Sequence, residues 1–431
     1  MNMLRTFLKF TLAISIHFFI SAEKDLVISA KEHSKMRLCI VTLPYKNIQE
    51  IAEIVKQDLS WSKQFDVDLL VRDNLYSRLE IKSLSALGYP LIIFLSYGKH
   101  NSLEWRIYDS SQFIMIEGKR IKENHVNDRG AAHHCSDGIW YALTGESSCF
   151  LSKIIYCQEK RVSGIARAYK YLYLADYDGS QARLLVSSPT VSLAPRWNSS
   201  SSDTPLIYYS ECTPRNLRLM AVNMSGKRRA VSNFAGLNMS VAWSPDGKSA
   251  VLCLSRDGTT QLYLYHVSDE NESKRPLEKL TDAGLNVSPC FINNSELLFC
   301  SDNNSASKPY LSVMNLHDRL ITTLVKGYCS SPSYCAKTDK IAYSRRVNSN
   351  LQLFLYDRKS KTERQLTQDS GNKDTCSWSP CGNYFLYTFD DGVHSRIAVY
   401  HVKTDRHWFI TSERVRCSYP AWSPNCSLYF E

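Results

Sequence analysis

The densest group of ligating side chains in this 431-residue sequence is His133-His134-Cys135-Ser136-Asp137. His, Cys and Asp can all hold a transition metal. The stretch reads as helical, however, and neighbours on a helix point about 100° apart, so His133 and His134 cannot reach the same ion. Only His133 and Asp137, four positions apart, share a face, and two ligands do not make a site. A structural role is expected for the cluster. The Gly-x-Ser-x-Gly elbow of serine hydrolases, the His-Glu-x-x-His helix of zinc peptidases and the phosphate-binding glycine loops are all missing. Asp178, Asp246 and Asp391 each precede a glycine, which a β-turn explains without catalysis. No catalytic residue, metal or cofactor is expected.

The elements that would position any site come from a repeat. Val241-Ala242-Trp243-Ser244-Pro245-Asp246-Gly247 has five partial copies, centred on Trp197, Phe291, Tyr334, Trp378 and Trp422. Successive aromatics, starting from Trp197, are 46, 48, 43, 44 and 44 residues apart. An alternating apolar run precedes each aromatic, and its central residue lies 24, 24, 28, 23, 24 and 24 positions upstream. Periodicity of two within each unit, with a Ser-Pro-Asp-Gly turn, reads as about four short strands per repeat. A period in the forties built from such strands predicts propeller blades, six in number. One recurring aromatic per repeat fits inter-blade packing better than a ligand site. Ser427-Leu428-Tyr429-Phe430 looks like the start of a further copy. Leu428–Phe430 is expected to pair near Lys153-Ile154-Ile155-Tyr156, so that both chain ends share a blade.

Residues 1–22 place Arg5 and Lys9 before an apolar run, with Ser21-Ala22 before Glu23, the layout of a cleaved secretory signal. Its removal takes away two cations and lowers the formal charge from +10 to +8. The remaining basic residues are scattered and lack nucleic-acid motifs. No other run is long enough to span a membrane. Residues 23–34 form a polar tail around Leu26-Val27-Ile28, suited to adding as a strand to a partner's sheet. Residues 35–150 read as a small α/β domain, with a strand at Met36–Val41, a helix burying Ile48, Ile51, Ala52, Val55 and Leu59, and a strand at Pro90–Leu95. An antiparallel pair follows at Leu103–Asp109 and Phe113–Glu117, then a helix at about Asp128–Leu143. The propeller occupies 151–431. The chain holds 14 cysteines, none spaced Cys-x-x-Cys. Each unit reads as beginning with the strand after its aromatic turn, and Cys157, Cys253 and Cys300 fall within such first strands of a blade and are expected to serve as small buried hydrophobes.

A short exported α/β domain followed by blades of this kind resembles the TolB family of the Gram-negative Tol–Pal envelope system. The junction carries most of the resemblance: Ala132-His133-His134-Cys135-Ser136-Asp137-Gly138-Ile139-Trp140-Tyr141-Ala142-Leu143-Thr144-Gly145-Glu146 leads into Lys153-Ile154-Ile155-Tyr156. Only the repeat at Trp243–Gly247 is complete, because Phe291 and Tyr334 replace Trp and lack the Pro-Asp-Gly turn. The resemblance implies a periplasmic scaffold that binds and does no chemistry. It would link the peptidoglycan-associated lipoprotein, Pal, to inner-membrane Tol proteins, supporting outer-membrane integrity and constriction during division. Pal would dock at one propeller face, on loops matched here by Leu237, Asn238, Ser240, Asn286 and Ser288. TolA would take the tail through Leu26, Val27 and Ile28. The rival reading is a propeller lyase or hydrolase acting on an envelope polysaccharide in the channel.

Overall fold

The computed structural model describes residues 35–73, 77–98, 102–121, 128–161, 168–187, 190–198, 205–213, 217–232, 238–266, 277–303 and 308–424. The signal at 1–22, the tail at 23–34 with Leu26, Val27 and Ile28, Leu237 and the Leu428–Phe430 segment all lie outside the described residues. The chain divides into two compact units that meet between Phe150 and Leu151. Among the described residues no helix is long and apolar enough to cross a membrane.

The first unit runs β1 (Met36–Thr42), α1 (Lys46–Trp61), β2 (Phe65–Val71), α2 (Arg78–Ala86), β3 (Leu91–Tyr97), β4 (Leu103–Asp109), β5 (Ile114–Ile121) and α3 (Asp128–Thr144). Its five-stranded sheet has the order β2-β1-β3-β4-β5. The helical crossovers leave β1 parallel to β2 and β3, while short loops make β3, β4 and β5 antiparallel. The apolar face read from the sequence, Ile48, Ile51, Ala52, Val55 and Leu59, is buried in α1. Two elements have no counterpart in the sequence reading, β2 and α2. The second carried a usable signal, since Ser77 caps α2 by accepting from the Glu80 N–H at 3.0 Å, with an acid three residues after the cap.

Among its described residues the second unit has four separate four-stranded antiparallel sheets and one of eight strands. The eight-stranded sheet consists of two runs of four strands, touching in the ladder only through the pair Lys170–Val191. The repeat phase differs from the expectation that each unit begins after its aromatic. The aromatic instead closes the strand that begins its sheet, as Trp243 closes Asn238–Trp243 and Trp378 closes Asn372–Trp378. Both phases show the same alternation, so only strand pairing distinguishes them. Apolar clusters span consecutive sheets: Val251 and Leu264 pack with Leu297 and Met314, while Ala342 and Leu355 pack with Phe385 and Tyr400. Face-to-face burial between neighbouring sheets thus supplies the core.

Lys153–Arg161 pairs on one side with Ala168–Asp176 and on the other with Cys417–Trp422, the latter through Cys417–Gln158, Ser418–Cys157, Ala421–Ile155 and Trp422–Ile154. Closure therefore uses the strand ending in the last aromatic. The Ser423 N–H donates to the Lys153 carbonyl at 2.9 Å and the Lys153 N–H to Ser423 Oγ at 3.1 Å. Ser244 and Ser249 make the same reciprocal pair inside a continuous hairpin, both bonds at 2.9 Å. The junction between chain ends thus copies a hairpin whose connecting turn is absent.

Candidate binding faces of the propeller channel

Six strands line the middle of the second unit: Val191–Trp197, Asn238–Trp243, Asn286–Phe291, Cys329–Cys335, Asn372–Trp378 and Cys417–Trp422. Each carries a residue in the left-handed region three positions before its aromatic: Ala194 (φ 46°), Ser240 (43°), Ser288 (55°), Ser331 (48°), Thr375 (60°) and Tyr419 (55°). The ladder register slips at each of these points, so every lining strand is bulged. A non-glycine residue there costs on the order of 1 kcal/mol, a strain tolerated only where surrounding pairing fixes it. The bulge turns the start of each strand relative to its aromatic end and gives the channel two chemically different mouths.

The mouth where the lining strands begin holds the described part of the predicted partner surface. Ser240 and Ser288 occupy equivalent bulges and are half-buried. Asn238 opens its strand opposite Leu254. Asn286 opens the next strand but is buried, and its amide donates to Gln261 Oε1 at 2.9 Å and to the Ala283 carbonyl at 2.8 Å. Gln261 also accepts from Thr281 Oγ1 at 2.7 Å. Thr367 and Gln352 repeat that bond at 2.7 Å two sheets later. Asn286 thus shapes its loop from within, whereas its neighbour Leu285 is exposed. A cleft of about 170 Å³ lies elsewhere on this side, lined by Glu159, Lys170, Asp374, Asp390 and Arg416 among others. Its charges are compensated in part: Arg416 sits 3.1 Å from Asp390 and 3.7 Å from Glu159.

At the opposite mouth stand the aromatics and the Ser-Pro turns, around a cavity of about 400 Å³ that touches all six lining strands. Three of the four recurring indoles bond to neighbouring segments. Trp197 Nε1 donates to the Ala421 carbonyl at 3.1 Å, Trp378 Nε1 to the Ser333 carbonyl at 2.9 Å and Trp422 Nε1 to Ser152 Oγ at 2.6 Å. This is the packing role expected of them. The Ser244 turn is held by Ser244 Oγ donating to Asp246 Oδ1 at 2.6 Å and by the Lys248 N–H donating to the same carboxylate at 3.0 Å, with Gly247 at φ 71°. In the Trp378 copy, Cys381 replaces the acid and its Sγ lies 3.1 Å from Ser379 Oγ.

Immediately before the aromatic the repeats carry Ala242, Cys290, Ser333, Ser377 and Ala421, all small, but the first carries Arg196. Sequence reasoning missed this residue, although aligning the repeats column by column would have exposed it. Arg196 lines the aromatic mouth. Its one hydrogen bond to described residues runs from Nη1 to the adjacent Pro195 carbonyl, at 2.9 Å. Burial pulls its pKa below the ordinary guanidinium value, and the acidic groups that oppose this include Asp374. The Asp374 carboxylate instead accepts from Ser330 Oγ at 2.9 Å and from the Thr375 N–H at 2.7 Å.

The helix cluster resolves into separate structural pairs. His133 Nδ1 lies 2.8 Å from Asp58 Oδ2, both groups buried, and links α3 to α1. Asp137 accepts from Ser148 Oγ at 2.6 Å, so the two residues sharing a helix face do not converge. The acids preceding glycines hold turns: Asp178 accepts from the Ser180 N–H at 3.0 Å, and Asp391 from the Val393 and His394 N–H groups at 2.9 and 2.6 Å. Every cysteine among the described residues is a free thiol.

Antiparallel sheets whose leading strands surround one channel, closed by pairing the two ends of the unit, define a β-propeller, here preceded by a small α/β unit. Residues 140–426 match the family profile of the TolB beta propeller domain, and the chain belongs to that family. It is 26% identical over 253 residues to the Tol-Pal system protein TolB of Alcanivorax borkumensis, covering 56% of this chain and 57% of that protein. With the protein of the same name from Rickettsia canadensis it shares 33% identity over 133 residues, 31% of this chain and 29% of the relative. The matched stretches thus span from under a third to just over half of those relatives' lengths. The crystal structure of TolB from Acinetobacter baumannii superposes with a TM-score of 0.78 over 91% of this chain and 98% of that one, at 23% identity, and shares the fold.

Proposed function

We propose that this chain is a periplasmic, non-catalytic scaffold of a Tol–Pal envelope system. The observation that carries the reading is the TolB propeller profile extending over 140–426, with the same family name borne by the relatives above. In this reading the eight-stranded sheet is two blades, which with the four separate sheets makes six. Residues 35–150 form the accessory domain and 151–431 the propeller. Pal binds at the mouth where the lining strands begin, against Leu237, Asn238, Ser240 and Ser288, and Asn286 holds its loop in shape so that Leu285 and Ser288 face the partner. The tail at 23–34 engages TolA through Leu26, Val27 and Ile28. The linkage supports outer-membrane integrity and envelope constriction at division.

Calorimetric titration of residues 23–431 with the soluble domain of a Pal-like lipoprotein from the same cell tests the reading. One-to-one saturable binding supports it, with Leu26, Val27 and Ile28 all replaced by Ser expected to lose TolA and retain Pal. No heat at concentrations well above micromolar removes the Pal role, and loss of both partners in the tail variant removes the two-site arrangement.

A further inference from the structure

The aromatic mouth is a different surface from the one proposed for Pal. Its roughly 400 Å³ cavity is at the small end of the range for ligand pockets. Trp197, Trp243, Phe291, Tyr334, Trp378 and Trp422 contribute to its wall. Among the described residues that line it, the charged ones are Arg196 and Lys337, both cations, and none is Asp or Glu. Ring packing alone requires no arginine here, since the other five repeats manage with Ala, Cys or Ser at the same column. A guanidinium drawn away from water and bonded only to its neighbour's carbonyl retains several N–H donors for an incoming group. Trp243 Nε1 is also buried without a hydrogen-bond partner among the described residues.

We propose that this cavity binds a carboxylate carried on an aromatic or apolar group, with the acid on Arg196 and the apolar part against the indoles. A planar guanidinium matches a carboxylate through two parallel N–H···O bonds, and partial shielding from bulk water strengthens them. Asp374 acts on this guanidinium through space without bonding to it, and an incoming anion further offsets the penalty of holding a cation in a partly desolvated channel. A pocket of this size admits a free N-acylated amino acid or the last one or two residues of a peptide. The shared requirement is the free carboxylate.

The test follows tryptophan fluorescence of the full chain, because four of its eight indoles line the cavity and report on it directly. The probes are N-acetyl-L-phenylalanine, its carboxamide, and acetyl-Gly-Gly-Gly-Phe with a free or amidated C-terminus. Saturable binding of the free acids is expected, with the amides at least about tenfold weaker, the scale of one charge-assisted hydrogen bond. Arg196→Gln is expected to reduce acid binding by a similar factor and to leave amide binding unchanged. The free acid that binds more tightly identifies the source, small molecule or peptide end. Equal binding of acids and amides to the unaltered chain, or no saturation below about 10 mM, overturns the proposal whether or not the Arg196 variant folds.

Discussion

Replacing Trp422 with Ala should open the propeller at its seam. The indole is 4% exposed, and its Nε1 donates to Ser152 Oγ at 2.6 Å. Its backbone N–H donates to Ser377 Oγ at 2.9 Å, so the residue is tied both to the preceding lining strand and to the segment that leads into Lys153–Arg161 of its own sheet. Truncating a buried Trp to Ala costs about 3–5 kcal/mol in lost transfer free energy and residual cavity. With an m-value near 3 kcal/mol/M, that lowers the urea midpoint by about 1–2 M. Trp422→Phe, which keeps the ring but not the donor, should cost about 1–2 kcal/mol. Near-UV dichroism during urea unfolding gives the global value. Backbone hydrogen exchange at Ile154, Ile155 and Cys157, which lie on the strand paired with Cys417–Trp422, reports the seam itself. Exchange at those amides should accelerate more than exchange at Val251 or Leu298, which lie in sheets formed from contiguous chain. A loss below about 1 kcal/mol, or uniform acceleration throughout the propeller, would refute the view that this indole holds the ring closed.

Two further outcomes follow from the chemistry of individual groups. Hydrogen bonds from Ser244 and the Lys248 N–H hold the Asp246 carboxyl below its ordinary pKa. A depressed acid contributes stability that is complete above its unfolded value of about 3.9 and disappears as pH falls through the folded value. Asp246→Asn should therefore be less stable than the parent at pH 7, and the gap should narrow and then close as pH falls from the unfolded value through the lowered folded one, as measured by urea midpoints at each pH; a gap independent of pH contradicts the assignment. Burial pushes the thiols of Cys157, Cys253, Cys329 and Cys417 up to about 12. Iodoacetamide at pH 8 should leave these four unmodified in the native chain and label them all in urea, read by peptide mass spectrometry, whereas native labelling at the denatured rate would show that they are accessible.

The repeat was legible because an indole or other ring returns at one column and alternating runs keep a fixed distance from it. The phase was less so, since the strands on either side of Trp243 alternate alike and only their ladder shows which begins the sheet. The bulges carry only a partial sequence mark: among Ala194, Ser240, Ser288, Ser331, Thr375 and Tyr419 three are serines and four precede a proline, but glycine, the usual sign of a left-handed backbone, occurs at none of them. The family resemblance puts Asn286 in a contact loop through its place just ahead of the aromatic, but that place says nothing of burial, and the buried Gln261 that engages its amide is 25 positions away. Arg196 went unnoticed for a related reason. Basic residues are scattered along the chain, and only the convergence of six strands places this one inside the channel mouth.

The seam also sets a timetable for folding. Cys417 and Gln158 pair although their numbers differ by 259, so the blade containing Lys153–Arg161 cannot be completed until nearly all of the propeller sequence is available. Most other sheets assemble from neighbouring hairpins, whose loops are cheap to close. During that interval Ile154, Ile155 and Tyr156, all buried in the finished ring, form an open sheet edge able to recruit any extended chain nearby. A chain halted before Cys417 would retain that edge indefinitely, and its characteristic failure would be association through Lys153–Arg161 rather than simple unfolding.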